Sequence, residues 1–290
     1  MQINIAAVQF RLKSIHSKEE FFRQVEDYIQ QALTHEPHFI VFPELFTAEL
    51  AAIQPKAPFE VVRDINDYLP DYLDFFTRYS KQYQVYIVAG TIIVKDDGGD
   101  YVNRAYLFRP DGTNVYQDKI HLTQWEALEW DLKQGNELHV FDTEHGKVSL
   151  LTCYDIEFPE LSRYAVSKGA VILFSPSSTA SRQGLYRVKS CAKARAIENQ
   201  CFVVVTGTTG TIDEMPDFKN NFTTGGIYAP CDAYFPSEGV IAEGIENEEM
   251  IVSGAVDMEA LHLSRSTLTN ISTPLLKNMR NDLYSVEFKA

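Results

Sequence analysis

The 290-residue chain is 45% hydrophobic and 12% aromatic, enough for one large core, and its 26 basic against 40 acidic side chains give a formal charge of -14. Such a surface repels phosphate backbones and anionic membranes, so no nucleic acid or membrane partner is expected. The four cysteines (Cys153, Cys191, Cys201, Cys231) lack CxxC spacing, no apolar run approaches the roughly 20 residues of a membrane span, and Met1–Ile5 lacks the basic-then-apolar order of a secretion signal. A cytoplasmic, single-domain protein with reduced thiols and no structural zinc is the expectation.

Residues 3–9 read as a first strand, and Ser17-Lys18-Glu19-Glu20 has capping-box spacing ahead of an amphipathic helix to about residue 34. Residues 38–42 form a short, wholly apolar strand of the kind buried on both faces, ending at Pro43-Glu44. Pro58 to about Tyr83 reads as two helical pieces, the second beginning at Pro70, and residues 85–90 as another buried strand. Asp96-Asp97-Gly98-Gly99 and Pro110-Asp111-Gly112 are turns between strands, the last of which leads to Lys119. After a polar, aromatic loop over 121–137 come strands near 138–142 and 148–152, then Cys153, and a helix from about Pro159 to Lys168. A strand over 171–174, a helix over 183–199 and a strand over 202–206 continue the β-α-β alternation. Weaker strands near 225–229 and 250–256 precede a helix at roughly 257–265.

A thiol at a strand-to-helix corner is placed for chemistry, but free cysteine is only about 3% thiolate at neutral pH and needs a base or a positive field beside it. Glu44 and Lys119 also stand at strand ends, where residues distant in sequence converge over one edge of a sheet. Taken singly, each has an ordinary explanation: a buried thiol packs, a glutamate caps a helix, a lysine stays in solvent.

Together with their neighbours they resemble the carbon–nitrogen hydrolase family, or nitrilase superfamily, in its amidase branch. The matching segments are Phe42-Pro43-Glu44-Leu45, Asp118-Lys119-Ile120-His121-Leu122 and Leu151-Thr152-Cys153-Tyr154-Asp155-Ile156-Glu157-Phe158-Pro159-Glu160. Asn103, Phe108 to Gly112, Ser175-Pro176 and Arg195 to Asn199 support them, and the likeness runs from about residue 3 to 257. The resemblance implies an α/β fold, a four-layer α-β-β-α sandwich over residues 1–260, with a C-terminal tail over 261–290 that could cross a subunit interface in a homodimer.

It also implies Cys153 as nucleophile, Glu44 as base and Lys119 with the Tyr154 backbone N–H as oxyanion donors. A second glutamate completes the set: Glu126, seven residues beyond Lys119, or else Glu129. The expected substrate is a small molecule with an amide-type carbon–nitrogen bond, cleaved through a thioester without cofactor or metal. N-carbamoyl acids are an alternative, and nitriles a weaker one, because nitrile-cleaving members usually carry Trp-Glu where this chain has Tyr154-Asp155. Outside enzymes, the alternative is an inactive interaction scaffold. A papain-like pairing with His121 or His145 has no motif behind it. Candidate pocket loops are 122–136, 175–184 and 207–221, with Trp125, Trp130, Ser178, Thr179 and Phe222 as candidate lining. Arg182, Arg187, Lys189, Lys193 and Arg195 read as a solvated face or a subunit contact, so no carboxylate clamp is assigned.

Overall fold

The computed structural model describes residues 1–53 and 62–266; the start of the expected Pro58–Tyr83 helical pair and the expected tail from residue 267 on lie outside the described residues. The elements in order are β1 (Gln2–Leu12), α1 (Lys18–Leu33), β2 (Phe39–Phe42), α2 (Ala48–Ala51) and, after a 3-10 turn at Ile65–Tyr68, α3 (Leu69–Tyr83) with Pro70 in its first turn. Then come β3 (Tyr86–Lys95), β4 (Tyr101–Phe108), β5 (Asn114–Asp118), α4 (Gln124–Leu128) and β6 (Lys147–Leu150). A 3-10 turn at Cys153–Glu157 leads to α5 (Pro159–Ser167), β7 (Ala170–Pro176), α6 (Arg182–Asn199), β8 (Phe202–Gly210), β9 (Gly226–Tyr228), β10 (Val240–Glu243), β11 (Met250–Asp257) and α7 (Met258–Ser266).

One half-sheet runs β11-β1-β2-β3-β4-β5, parallel through β1, β2 and β3 and antiparallel elsewhere. The other runs β6-β7-β8-β9-β10, with β6, β7 and β8 parallel. They join where the end of β1 pairs with the end of β8, Gln9 opposite Gly207 through Leu12 opposite Gly210.

Alternation along the strands sorts the apolar side chains into three cores, and three cores separate four layers. Ile3, Ile5, Phe39 and Val41 meet Ile172, Phe174, Phe202 and Val204 between the two half-sheets. Their neighbours Ala6, Val8, Ile40 and Phe42 face the other way, onto Val25, Ile29, Phe75 and Phe76 of α1 and α3. Leu173, Val203 and Val205 pack on Leu161, Ala165, Val188 and Ala192 of α5 and α6. The α-β-β-α stack expected for the chain is therefore present, and β2 is buried at every position.

Two local expectations change. No strand forms over 138–142, where a single bridge from Phe141 to Val148 is the extent of pairing. At the start of α1, Ser17 accepts the Glu20 N–H, but the Glu20 carboxylate reaches back to the His16 N–H at 2.8 Å rather than to Ser17, so the box is open by one residue. Residues Leu261 to Ser266 belong to α7, with Leu261 buried and Arg265 Nε donating to the Gln200 carbonyl at 2.7 Å.

Candidate active site

Each converging residue lies just past the C-terminal end of a strand. Glu44 follows β2 by two residues, Lys119 follows β5 directly, Cys153 follows β6 by three and Ser178 follows β7 by two. The corners that carry Glu44 and Cys153 are tight: Leu45 has φ 53° and Cys153 φ 46°, a left-handed conformation that side chains with a Cβ rarely adopt. Gly90 in β3 (φ +63°) makes room for the first corner, since a Cβ there would sit 2.0 Å from the Pro43 carbonyl oxygen.

Lys119, 2% exposed, is the centre of the site. Its ammonium donates to Glu44 Oε1 at 2.7 Å and to Glu126 Oε2 at 2.6 Å. Asn103, buried in the middle of β4, bridges the same two carboxylates at 3.0 and 2.9 Å. The other Glu44 oxygen accepts the Ser178 N–H at 2.9 Å, and Glu44 and the Cys153 thiol line the same cavity. The thiol also faces the Ser178 carbonyl at 3.6 Å. Glu126 closes a capping box on α4: it accepts from Thr123 N and Oγ1 at 2.9 and 2.8 Å, while Thr123 Oγ1 accepts the Glu126 N–H. Of the two glutamates left open by spacing, Glu126 is thus the one on Lys119, and Glu129 is an exposed C-cap.

Burial dominates the electrostatics of all four groups, and the neighbours decide the outcome. For Lys119 burial would favour the neutral amine, but Glu126 and Glu44 overcome it and hold the ammonium charged well above the usual lysine range. Burial raises Glu44, Lys119 only partly offsets this, and the Glu126 charge adds to the rise. Burial would raise Glu126 too, but Lys119, Asn103 and Thr123 bring it below the ordinary carboxylate range. The Cys153 thiol is pushed well above its usual range by burial and by the Glu44 charge, so it rests protonated. A strengthened base therefore faces a protonated thiol beside a fixed cation.

Behind these groups stand residues to which the sequence assigned no role. Asp155 is buried and accepts the Ile120 and His121 N–H groups at 3.2 and 2.7 Å, tying the Cys153 turn to the Lys119 loop. Arg195 departs from the solvated face expected of its run: it is buried and donates to the Ile156 and Glu157 carbonyls at 3.0 and 2.9 Å, closing the far end of that turn. The available signal for Asn103 was its place among the residues that support the family resemblance, which left its role unassigned.

A cavity of about 430 Å³ opens over Cys153, and its lining includes Glu44, Lys119, Glu126, Tyr154, Ser178 and Thr179 together with Trp125, Trp130, Glu157, Arg187 and Asp217. Thr179 Oγ1 donates to the Phe222 carbonyl, fastening the 175–184 loop to the residue that follows the 207–221 loop. Phe222 itself is not part of this lining, and Arg182 points to Glu246 instead, at 2.7 Å. Among the described residues no cluster of His, Cys, Asp and Glu is arranged to hold a metal, and no helix is long and apolar enough to cross a membrane.

The family model for carbon–nitrogen hydrolases matches residues 4–265. Among similar proteins, the probable hydrolase YhcX of Bacillus subtilis (strain 168) is 41% identical over 99% of this chain, which spans only 55% of that protein's length. The 2-oxoglutaramate amidase of the same organism is 32% identical over 98% of this chain and all of its own. Among solved structures, the carbon–nitrogen hydrolase from Helicobacter pylori G27 superimposes with a TM-score of 0.79, covering 98% of this chain and 97% of that one at 21% identity.

Proposed function

We propose that this chain, which belongs to the carbon–nitrogen hydrolase family and acts on carbon–nitrogen bonds other than peptide bonds, is a cysteine-dependent amidase working through a thioester. The observation that carries this reading is the buried Glu44–Lys119–Glu126 cluster set against the Cys153 thiol at the floor of the cavity. Because both the thiol and Glu44 are raised, the proton leaves Sγ for the Glu44 carboxylate as Sγ bonds to the amide carbon. The carbonyl oxygen becomes an oxyanion, which the Lys119 ammonium and the Tyr154 backbone N–H stabilise, each donor contributing about 3–4 kcal/mol. Glu44 returns its proton to the amide nitrogen, the carbon–nitrogen bond breaks, and ammonia or an amine departs from a thioester on Cys153. Water then gives a proton to Glu44 and its oxygen to the acyl carbon; the acid leaves and the proton returns to Sγ. Glu126, held below the carboxylate range, stays ionised and positions Lys119.

The amidase names of the relatives favour a small amide over a nitrile, and an N-carbamoyl compound fits the same chemistry because its carbonyl also carries nitrogen. The reading also carries a cytoplasmic homodimer, for which light scattering of the purified chain is the direct check.

Intact-protein mass spectrometry after brief incubation with small amides, ω-amides and N-carbamoyl acids, coupled to ammonia detection, tests the chemistry. The expected result is an acyl adduct on Cys153 or ammonia release, both lost in Cys153→Ala. Turnover that survives Cys153→Ala would sink the thioester.

A further inference from the structure

The cavity lining carries an uneven set of charges. Among the described residues its lining holds two cations, Lys119 and Arg187, and both are already engaged. Lys119 meets Glu44 and Glu126. Arg187 Nε lies 3.1 and 3.4 Å from the two oxygens of Glu157, whose side chain is 15% exposed against 61% for Arg187, so the carboxylate is the fixed member of that pair. Asp217 is the remaining charge. Its Oδ2 accepts the indole N–H of Trp130 at 3.1 Å, a neutral donor that orients the carboxylate without cancelling it.

The walls beside Asp217 are aromatic. Trp130 is buried and stacked on Phe218, with centroids 5.9 Å apart and planes 17° off parallel, and Trp125 stands half exposed on the same lining. Indole faces attract cations and accept methylene chains, whereas a carboxylate brought here would lose its water beside Asp217 and Glu157 and find no uncommitted cation. The net charge of -14 acts in the same sense on approach.

We infer that the substrate is an amide or ureido compound with an ammonium or guanidinium at the end remote from the cleaved bond, received by Asp217 along the indoles of Trp125 and Trp130. The inference rests on the amidase reading above, and it departs from the carboxylate-bearing compound in the name of the 32%-identical relative.

The test is kcat/KM for primary amides of matched length ending in an ammonium, an uncharged hydroxyl or a carboxylate, over a ladder of chain lengths. The cationic member is expected to be preferred over the neutral one by about tenfold at low salt, the carboxylate to be poorest, and the preference to shrink as ionic strength rises. In Asp217→Asn, which keeps an acceptor for Trp130, the cationic-to-neutral ratio should fall by about the same factor; a disturbance of structure alone would lower both substrates together. In Glu157→Gln, Arg187 loses its partner and the carboxylate member should gain. Equal or better turnover of the carboxylate member by the unaltered protein, or an unchanged ratio in Asp217→Asn, overturns the inference and leaves the amidase reading intact. Absence of ammonia and of an acyl adduct with every member overturns both.

Discussion

Lys119 makes the site a matter of stability as well as chemistry. Among the described residues the Lys119 ammonium is the one cation paired with these two buried carboxylates, and breaking such a set typically costs about 3–5 kcal/mol. Lys119→Met should therefore lower the unfolding free energy by about that amount and abolish turnover. Adding Glu126→Gln removes one orphaned charge, so the double variant should regain part of the stability and none of the activity; urea unfolding beside an amidase assay separates the two. Glu44, Lys119 and Cys153 could be read from the chain because each sits in a short run of distinctive neighbours at a strand end. The choice between Glu126 and Glu129 could not, since both lie within a few residues and only the turn of a helix decides which carboxylate faces inward. Asn103 and Asp155 stood in the resembling segments but without a role, because their work is to hold other residues, and a positioning hydrogen bond leaves no spacing to detect.

The element that settles Glu126 is α4, five residues long and absent from the expected 121–137 loop. It is too short to show an apolar period, yet Thr123-Gln124-Trp125-Glu126 has the spacing of a capping box. The same carboxylate serves the helix start and the Lys119 ammonium, so the two functions should fail together. Thr123→Ala is expected to cost about 1 kcal/mol as a lost cap and to reduce kcat by loosening Glu126; thermal melts and steady-state rates measure both. A reduced melting temperature with unchanged kcat would show that Lys119 is held without the cap. The missing strand over 138–142 has a different origin. Phe141 does pair with Val148, but the flanking residues spend their hydrogen bonds elsewhere: the His139 N–H donates to Gln117 Oε1 at 2.8 Å and its carbonyl accepts from Ser149 Oγ. Side chains compete for the backbone there, which apolar alternation does not reveal.

At the scale of the molecule, the titration of a residue outside the cavity lining should govern stability. Glu49 in α2 is fully buried, accepts the Lys13 N–H at 2.8 Å and a longer contact from Gln24, and is pushed by burial up to about 8. The folded chain thus keeps this proton where the unfolded chain, near 4.5, gives it up. Its stabilising contribution is complete below about pH 4.5 and is lost as pH rises toward 8, at roughly 1.4 kcal/mol per pH unit. Glu49→Gln keeps an acceptor for Lys13 and cannot ionise, so its stability relative to the parent should rise by about 5 kcal/mol between pH 4 and pH 9. Parallel denaturant curves for both proteins at the two pH values would refute this. The β-α-β alternation was plain in the chain, but the stacking of two half-sheets was not, because the same apolar strands serve a three-layer fold equally well; the resemblance supplied the fourth layer.

The pairing of β1 with β11 carries a consequence for how the protein is made. Gln2 to Gln9 lie against Asp257 to Met250, so β1 is synthesised long before the strand that pairs with it. A chain still threading out of the ribosome already contains Glu44, Lys119, Glu126 and Cys153, yet it presents β1 along that whole length as an open, apolar edge. Vectorial synthesis thus leaves the nascent chain exposed to pairing with other chains until residue 257 emerges, and at ribosomal speeds of about 5–20 residues per second that interval lasts tens of seconds at the slower end.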